Sequence, residues 1–329
     1  MKFLQLLSLG IRVFTRLAVT KGRMAALYFF AVLFVASSAW AAWENKIAVI
    51  YPDIGEPYRE IFEKIISGIE EKVGERVAKH PLKSDADTAT LKSSLLRQNI
   101  KVVIALGRQG MSAATALHSD IGMVVGGVLT VPETEARSQP VISLMPAPAL
   151  LFARMKGLMP STKRVFVVYD PAYNDWLIKL AKEAALAQGL VLVAFEAHDL
   201  RSAVRHYQQI FSEADGRSDV LWLPQDYTTV EESSVLPMVL QESWNRDIAV
   251  FSSNSAHVRR GVLFSLYPDN MGLGRSLAEL ALGILHSGEY EKTGMMPLRD
   301  VQSAVNLRTA KHLRLKKTRL QDFDMTFPE

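Results

Sequence analysis

Lys101-Val-Val-Ile-Ala-Leu106 is a run of five apolar residues after a lysine, closed at once by Gly107-Arg-Gln-Gly110. It is too short for a typical buried helix, and no polar residue alternates along it, so neither face is built to meet water. Such a strand belongs to a parallel sheet covered by helices on both sides. Short runs of the same kind recur at 46–51, 123–128, 141–144, 164–169, 190–195, 219–223 and 248–251. The stretches between them have helical spacing: 56–73 sets Ile61, Phe62, Ile65, Ile66 and Ile69 on one face, opposite Glu and Lys. Further helices are expected at 87–98, 146–159, 173–187, 199–212 and 229–244, with a weak strand around Val77.

The alternation runs to about residue 145 and restarts at Arg164, so it describes two units of one architecture. After Ser253-Asn254 three elements remain: a strand at 261–267, a helix at 271–286 and a strand at 301–305. A chain that has built two units and still holds three elements crosses between them again. The expected fold class is α/β: two doubly wound parallel-sheet lobes joined by a multi-stranded hinge that lets a cleft open and close. Residues 42–145 form lobe 1, completed by about 270–295, and residues 146–269 form lobe 2, completed by about 296–329.

Residues 1–41 are expected to be a cleaved signal peptide. Lys21 and Arg23 precede a nearly unbroken apolar run over 24–38, and Ala39-Trp40-Ala41 has the small-x-small cleavage pattern. The apolar run is short for a bilayer span. The leader also carries five of the 38 basic residues and no acidic one, leaving 33 basic against 34 acidic, a net charge of −1. The basic balance of the whole chain is therefore no sign of a nucleic-acid partner. A basic run over 311–319 reads as a solvated face or a membrane-surface contact. The chain has no cysteine, which excludes thiol catalysis and a lipidated Cys. The expected product is a monomer, periplasmic and not a lipoprotein.

Enzyme signatures fail. No His-Glu-x-x-His, P-loop or Gly-x-Gly-x-x-Gly is present, and the seven histidines are scattered without metal spacing, so no metal or cofactor is expected. Gly110-Met-Ser-Ala-Ala114 lacks the second glycine of a nucleophile elbow. The loops at the carboxyl ends of the strands are richer. They offer Tyr58, Arg108 and Thr130 from the first lobe, with Tyr173, Asn174, Asp226, Tyr227, Asn254 and Asp269 from the second half. Aromatic faces mixed with amide, hydroxyl and carboxylate groups suit a small polar-aromatic or zwitterionic ligand. Arg108 is the candidate anion partner and Asp226 the candidate for an ammonium. Asp170, Asn174 and Asp226 read equally as helix caps.

Five segments carry a family resemblance. Tyr169-Asp-Pro-Ala-Tyr-Asn-Asp175 is similar to an Asn-Pro-x-x-x-Asn-Ser loop, and Asp219-Val-Leu-Trp-Leu-Pro-Gln-Asp-Tyr-Thr228 to Asp-Ala-Leu-Tyr-x-Pro-x-Asp-Asn-Thr. Gly261-Val-Leu-Phe-Ser-Leu-Tyr-Pro-Asp269, Leu273-Gly-Arg275 and Ala304-Val-Asn-Leu-Arg-Thr-Ala-Lys311 follow the same family's closing pattern. The chain thus resembles the substrate-binding proteins of ABC transporters, of the tryptophan/tyrosine type with the periplasmic-binding-protein type I fold. The resemblance implies an amino-acid-like ligand in the cleft and delivery to a membrane permease with its ATPase. Departures fall on the ligand loops: Thr130-Val-Pro132 lacks the family's carboxylate, Tyr227 replaces an Asn, Asp175 a Ser, and Asn254 stands where Asp is common. Two other readings stand beside transport: a periplasmic sensor or adaptor of the same fold that signals to a membrane receptor, and an exported hydrolase.

Overall fold

A computed structural model describes residues 46–83, 87–117 and 121–328; the expected signal peptide lies outside the described residues. Two sheets organise the chain. The first runs in the order β11-β5-β4-β3-β1-β2, from β1 (Ile47–Pro52), β2 (Ala78–Leu82), β3 (Val102–Leu106), β4 (Gly122–Val128), β5 (Pro140–Pro146) and β11 (Gly294–Leu298). Every pairing in it is parallel. The second runs β13-β12-β10-β9-β8-β6-β7. It comprises β6 (Arg164–Tyr169), β7 (Val191–Glu196), β8 (Asp219–Leu223), β9 (Ala249–Ser252), β10 (Phe264–Pro268), β12 (Val301–Asn306) and β13 (Met325–Phe327). Only the β10–β12 pairing is antiparallel. This is the mixed α/β, two-lobed architecture that the alternating pattern predicts.

Burial explains why the short apolar runs became strands. All five residues of β3 and all five of β8 are buried, because each sheet has a core on both faces. On one face of the second sheet an aromatic group fills the space. Trp222 meets the edge of Phe152 at 5.7 Å, and Phe251 stacks on Phe264 at 5.2 Å. Such rings contribute both area and preferred geometry. Buried Trp222 satisfies its indole N–H by donating to Ser253 Oγ at 3.0 Å.

Against the first sheet, the helix Tyr58–Val73 buries Phe62, Ile65, Ile66 and Ile69, four of the five residues its spacing sets on one face, leaves Ile61 exposed at the edge of that face, and ends on Gly74 at φ 84°. It crosses the helix Asn270–Ser287 at Gly68 and Gly274. A Cβ on Gly68 would collide with the Met271 carbonyl oxygen, and one on Gly274 with that of Ile65, so the two backbones touch directly. No other residue type permits that approach.

The chain passes between sheets three times: β5 to the helix Pro148–Leu158, β10 to the helix Asn270–Ser287, and β11 to β12. Ala147 N–H donates to Leu298 O at 2.8 Å and Asp269 N–H to Asp300 O at 3.0 Å. The third crossing is thus bonded to both of the others.

Several elements depart from the sequence reading, among them the short helices Glu133–Ala136, Ala256–Arg260 and Leu307–His312, which it does not predict. The helix expected over 229–244 begins only at Val235. Starting it at 229 would bury Pro237 mid-helix, against the carbonyl of residue 233; at its true place Pro237 lies in the first turn, where no N–H is needed. The Glu231 carboxylate closes the preceding turn, accepting the N–H groups of Ser233 (2.8 Å) and Ser234 (2.7 Å). β11 and β13 were not expected. β11 contains Pro297, tolerated because the strand is an edge and its register shifts between Met296 and Leu298.

Candidate functional site

In both sheets the strand order reverses beside the first strand of the series, at β1/β3 in one and β6/β8 in the other. Crevices beyond the carboxyl ends of strands at such a point are where doubly wound folds hold ligands. A cavity of about 410 Å³ lies at the β6/β8 point of the second sheet. It takes Leu129 and Thr130 from the loop after β4, Tyr173 from the helix after β6, and Gln225, Asp226, Tyr227 and Thr228 from the loop after β8. Both lobes therefore contribute to its wall.

Asp226 organises the second-lobe side. Its Oδ2 accepts from Asp170 N–H at 2.7 Å and Asn174 Nδ2 at 2.8 Å, and its Oδ1 from Thr228 N–H at 2.9 Å and Thr229 N–H at 3.1 Å. Four donors occupy the four lone-pair positions a carboxylate offers. Burial pushes its carboxyl above the usual range, while the backbone donors of Asp170, Thr229 and Thr228 pull it back. The side chain is 5% exposed, so it ties the β8 loop to the start of the helix Pro171–Ala187. Asp170 caps that helix through Ala172 N–H at 3.0 Å, and Pro171 takes a first-turn position where its missing N–H costs nothing. The result is a rigid mount for Tyr173, 54% exposed; Tyr227, at 75%, stands beside it on the wall.

The nine sequence candidates separate into groups. Thr130, Tyr173, Asp226 and Tyr227 line the cavity together. Asn174 is buried behind it, its Nδ2 on Asp226 and its Oδ1 without a partner. Arg108 is not among the lining residues; it reaches Glu135 of the short helix Glu133–Ala136 at 3.4 Å and is largely exposed. Tyr58 opens its helix, exposed, away from this lining. Asp269 caps the helix Asn270–Ser287 through Met271 N–H at 3.1 Å and also meets Arg275 at 3.5 Å, at the second crossing. Asn254 caps Ala256 N–H at 3.0 Å and holds its amide 3.4 Å from His257 Nε2. His257 in turn meets Ser252 Oγ at 2.9 Å; burial pushes its pKa down, Glu232 opposes that, and Arg260 adds to it. Leu129, Gln225 and Thr228 complete the lining, and only their positions in strand-end loops signal it in the sequence.

Chemically, the wall offers two phenol rings, one amide, hydroxyls and an apolar patch at Leu129. Among the described residues its only charged group, Asp226, is already satisfied.

The match to a protein-family model described as ABC transporter substrate binding protein covers residues 67–319. A search of curated proteins finds no match. Among solved structures, the chain is similar to the ligand-free, open structure of CD0873, a substrate-binding protein with adhesive properties from Clostridium difficile. The TM-score is 0.61 at 17% identity, covering 85% of this chain and 98% of that one. The ABC domain in complex with L-Trp from Streptococcus pneumonia gives 0.51 at 16% identity, over 86% and 100%. A conserved domain protein from Vibrio cholerae gives 0.50 at 18%, over 85% and 99%. At these identities the structures establish a shared fold.

Proposed function

We propose that this chain, which belongs to the ABC transporter substrate-binding protein family, captures a small polar or aromatic solute between its lobes for an ABC importer. The observation that carries the reading is the cavity itself, which joins Leu129 and Thr130 of one lobe to Tyr173 and the 225–228 loop of the other. A solute touching both walls makes contacts that separated lobes lack, and only such differential contacts shift a population toward the closed form. Three crossings, the third bonded to each of the other two, suit a hinge that bends without shearing. The two tyrosines suit a ring or other flat apolar body, and Gln225 and Thr130 suit its polar edge. An amino-acid-like solute follows by analogy with the L-Trp complex of the streptococcal relative. The permease and its ATPase are the partners of this reading, and the leader read in residues 1–41 supports a periplasmic location.

Native mass spectrometry of residues 42–329 purified from the periplasm tests it. A small-molecule adduct lost on mild unfolding, and weakened in Tyr173→Ala, is the expected result. A bare mass with no thermal shift from amino acids, peptides, sugars or organic acids would sink the proposal.

A further inference from the structure

A second cavity, of about 590 Å³, opens at the opposite end of the second sheet, where the chain enters β9 and β10 and leaves β12. Its floor is apolar, formed by Leu240, Ile248, Val250 and Leu313. Among the described residues its charged lining has one sign only, Arg259, Arg260 and Arg308, with His312 beside them and no carboxylate.

Two of those arginines differ from the ion-paired arginines elsewhere. Arg137, Arg164, Arg246 and Arg275 each meet a carboxylate, and in this cavity Arg260 has Glu232 at 3.8 Å and His312 has Asp247 at 3.0 Å. Arg259 and Arg308 have no ion pair among the described residues; each is held by a ring instead. The Arg259 guanidinium lies 5.1 Å from the Phe327 ring centre, and that of Arg308 lies 5.6 Å from Trp244, which itself stacks on His312 at 3.7 Å. A guanidinium held over a ring is oriented, yet keeps its in-plane N–H groups free for a planar or tetrahedral anion. Bidentate pairing with carboxylate or phosphate is the strong interaction such a group makes. Cations gathered on one cavity repel one another until an anion lies between them.

We propose that this cavity is a second ligand site, separate from the interlobe cleft, for an anion carrying a carboxylate or phosphate on a compact apolar body. Arg259 and Arg308 take the anionic end and the apolar floor takes the body. The volume falls in the range of small-molecule sites, about 300–1,000 Å³. Lys311, Arg314, Lys316 and Lys317 continue the positive surface beyond His312 and raise the local concentration of anions. The same chemistry is offered by a free organic anion and by an anionic lipid headgroup.

Isothermal titration with phenyl phosphate, inorganic phosphate as reference, and co-sedimentation with phosphatidylglycerol or phosphatidylcholine vesicles separate these sources. The expected result is saturable, salt-sensitive binding of phenyl phosphate, tighter than of inorganic phosphate. In the double variant Arg259→Gln/Arg308→Gln it should weaken by roughly tenfold or more. Arg259→Lys/Arg308→Lys, which keeps charge but loses the planar fork, should fall between the two and guards against a folding defect. Vesicle binding that requires phosphatidylglycerol and both arginines, without phenyl phosphate binding, assigns the same site to a headgroup. The proposal is overturned if neither probe binds saturably, or if the double variant binds as the parent does.

Discussion

Replacing Asp226 by Ala removes the acceptor of four hydrogen bonds at once. Thr228 is partly exposed and its N–H can recruit water, whereas Asp170, Asn174 and Thr229 are buried. Three buried donors thus lose their partner, each at a cost of about 1–3 kcal/mol. Some of that is offset, because the native state no longer holds a carboxylate out of water, the strain that pushes its pKa up. Since the three losses occur at one site and do not add fully, the net cost is about 2–4 kcal/mol. For a chain of this size that is a fall in Tm of roughly 5–15 °C. Differential scanning calorimetry on ligand-free protein measures it, with amide exchange at Thr229 reporting where the structure loosens. Asp226→Asn keeps the shape but turns an amide nitrogen toward two of the donors, so it should fall between wild type and Asp226→Ala. A ligand-free Asp226→Ala protein melting within about 1 °C of wild type would falsify the reasoning, and would return Asp226 to the role of ammonium partner for the solute.

Gly274→Ala should cost about 1–3 kcal/mol or more in urea unfolding, because its Cβ meets the Ile65 carbonyl oxygen; an unchanged midpoint would show that the helices do not touch. Tyr173→Ala and Tyr227→Ala should each weaken solute binding by roughly tenfold with little change in Tm, since both rings are exposed; equal affinities would place the solute elsewhere. His257 has a native pKa below its ordinary 6.5, so as pH falls the unfolded chain takes the proton first. Stability should therefore drop as pH decreases from about 6.5 to the native value and level off below it, and His257→Gln should flatten the slope of Tm against pH. His80, also lowered by burial, contributes with the same sign, so a residual slope is expected, and an unaltered one counts against the assignment.

What could be read from the sequence was whatever a single segment encodes. Val102–Leu106 announces itself because five apolar residues in a row leave no face for water, and Phe62, Ile65, Ile66 and Ile69 announce their helix by spacing. Gly294–Leu298 does not, because Met-Met-Pro has neither alternation nor β-branched residues, and pairing with β5 alone makes it a strand. The same boundary runs through the site. That Asp226 sits in a strand-end loop is plain from Leu-Trp-Leu-Pro-Gln-Asp. That its carboxylate would be claimed by Asp170 and Asn174, more than fifty residues earlier, depends on β6 and β8 being neighbours. The pairing of Arg108 is hidden for a like reason: its partner Glu135 stands on a four-residue helix that no periodicity reveals.

The contact between Gly68 and Gly274 also fixes an order of events in the life of the chain. The helix that covers one face of the first sheet is encoded about two hundred residues after the helix it touches. At about 5–20 residues per second, a ribosome takes some 10–40 s to bring the second within reach of the first. Through that interval Ile65 and Ile69 have no partner from the later helix, and the second sheet likewise waits for Val301–Asn306. One face of each sheet therefore stays uncovered until those later segments emerge, while the buried cores of the opposite faces come from residues 48–141 and 166–262 alone.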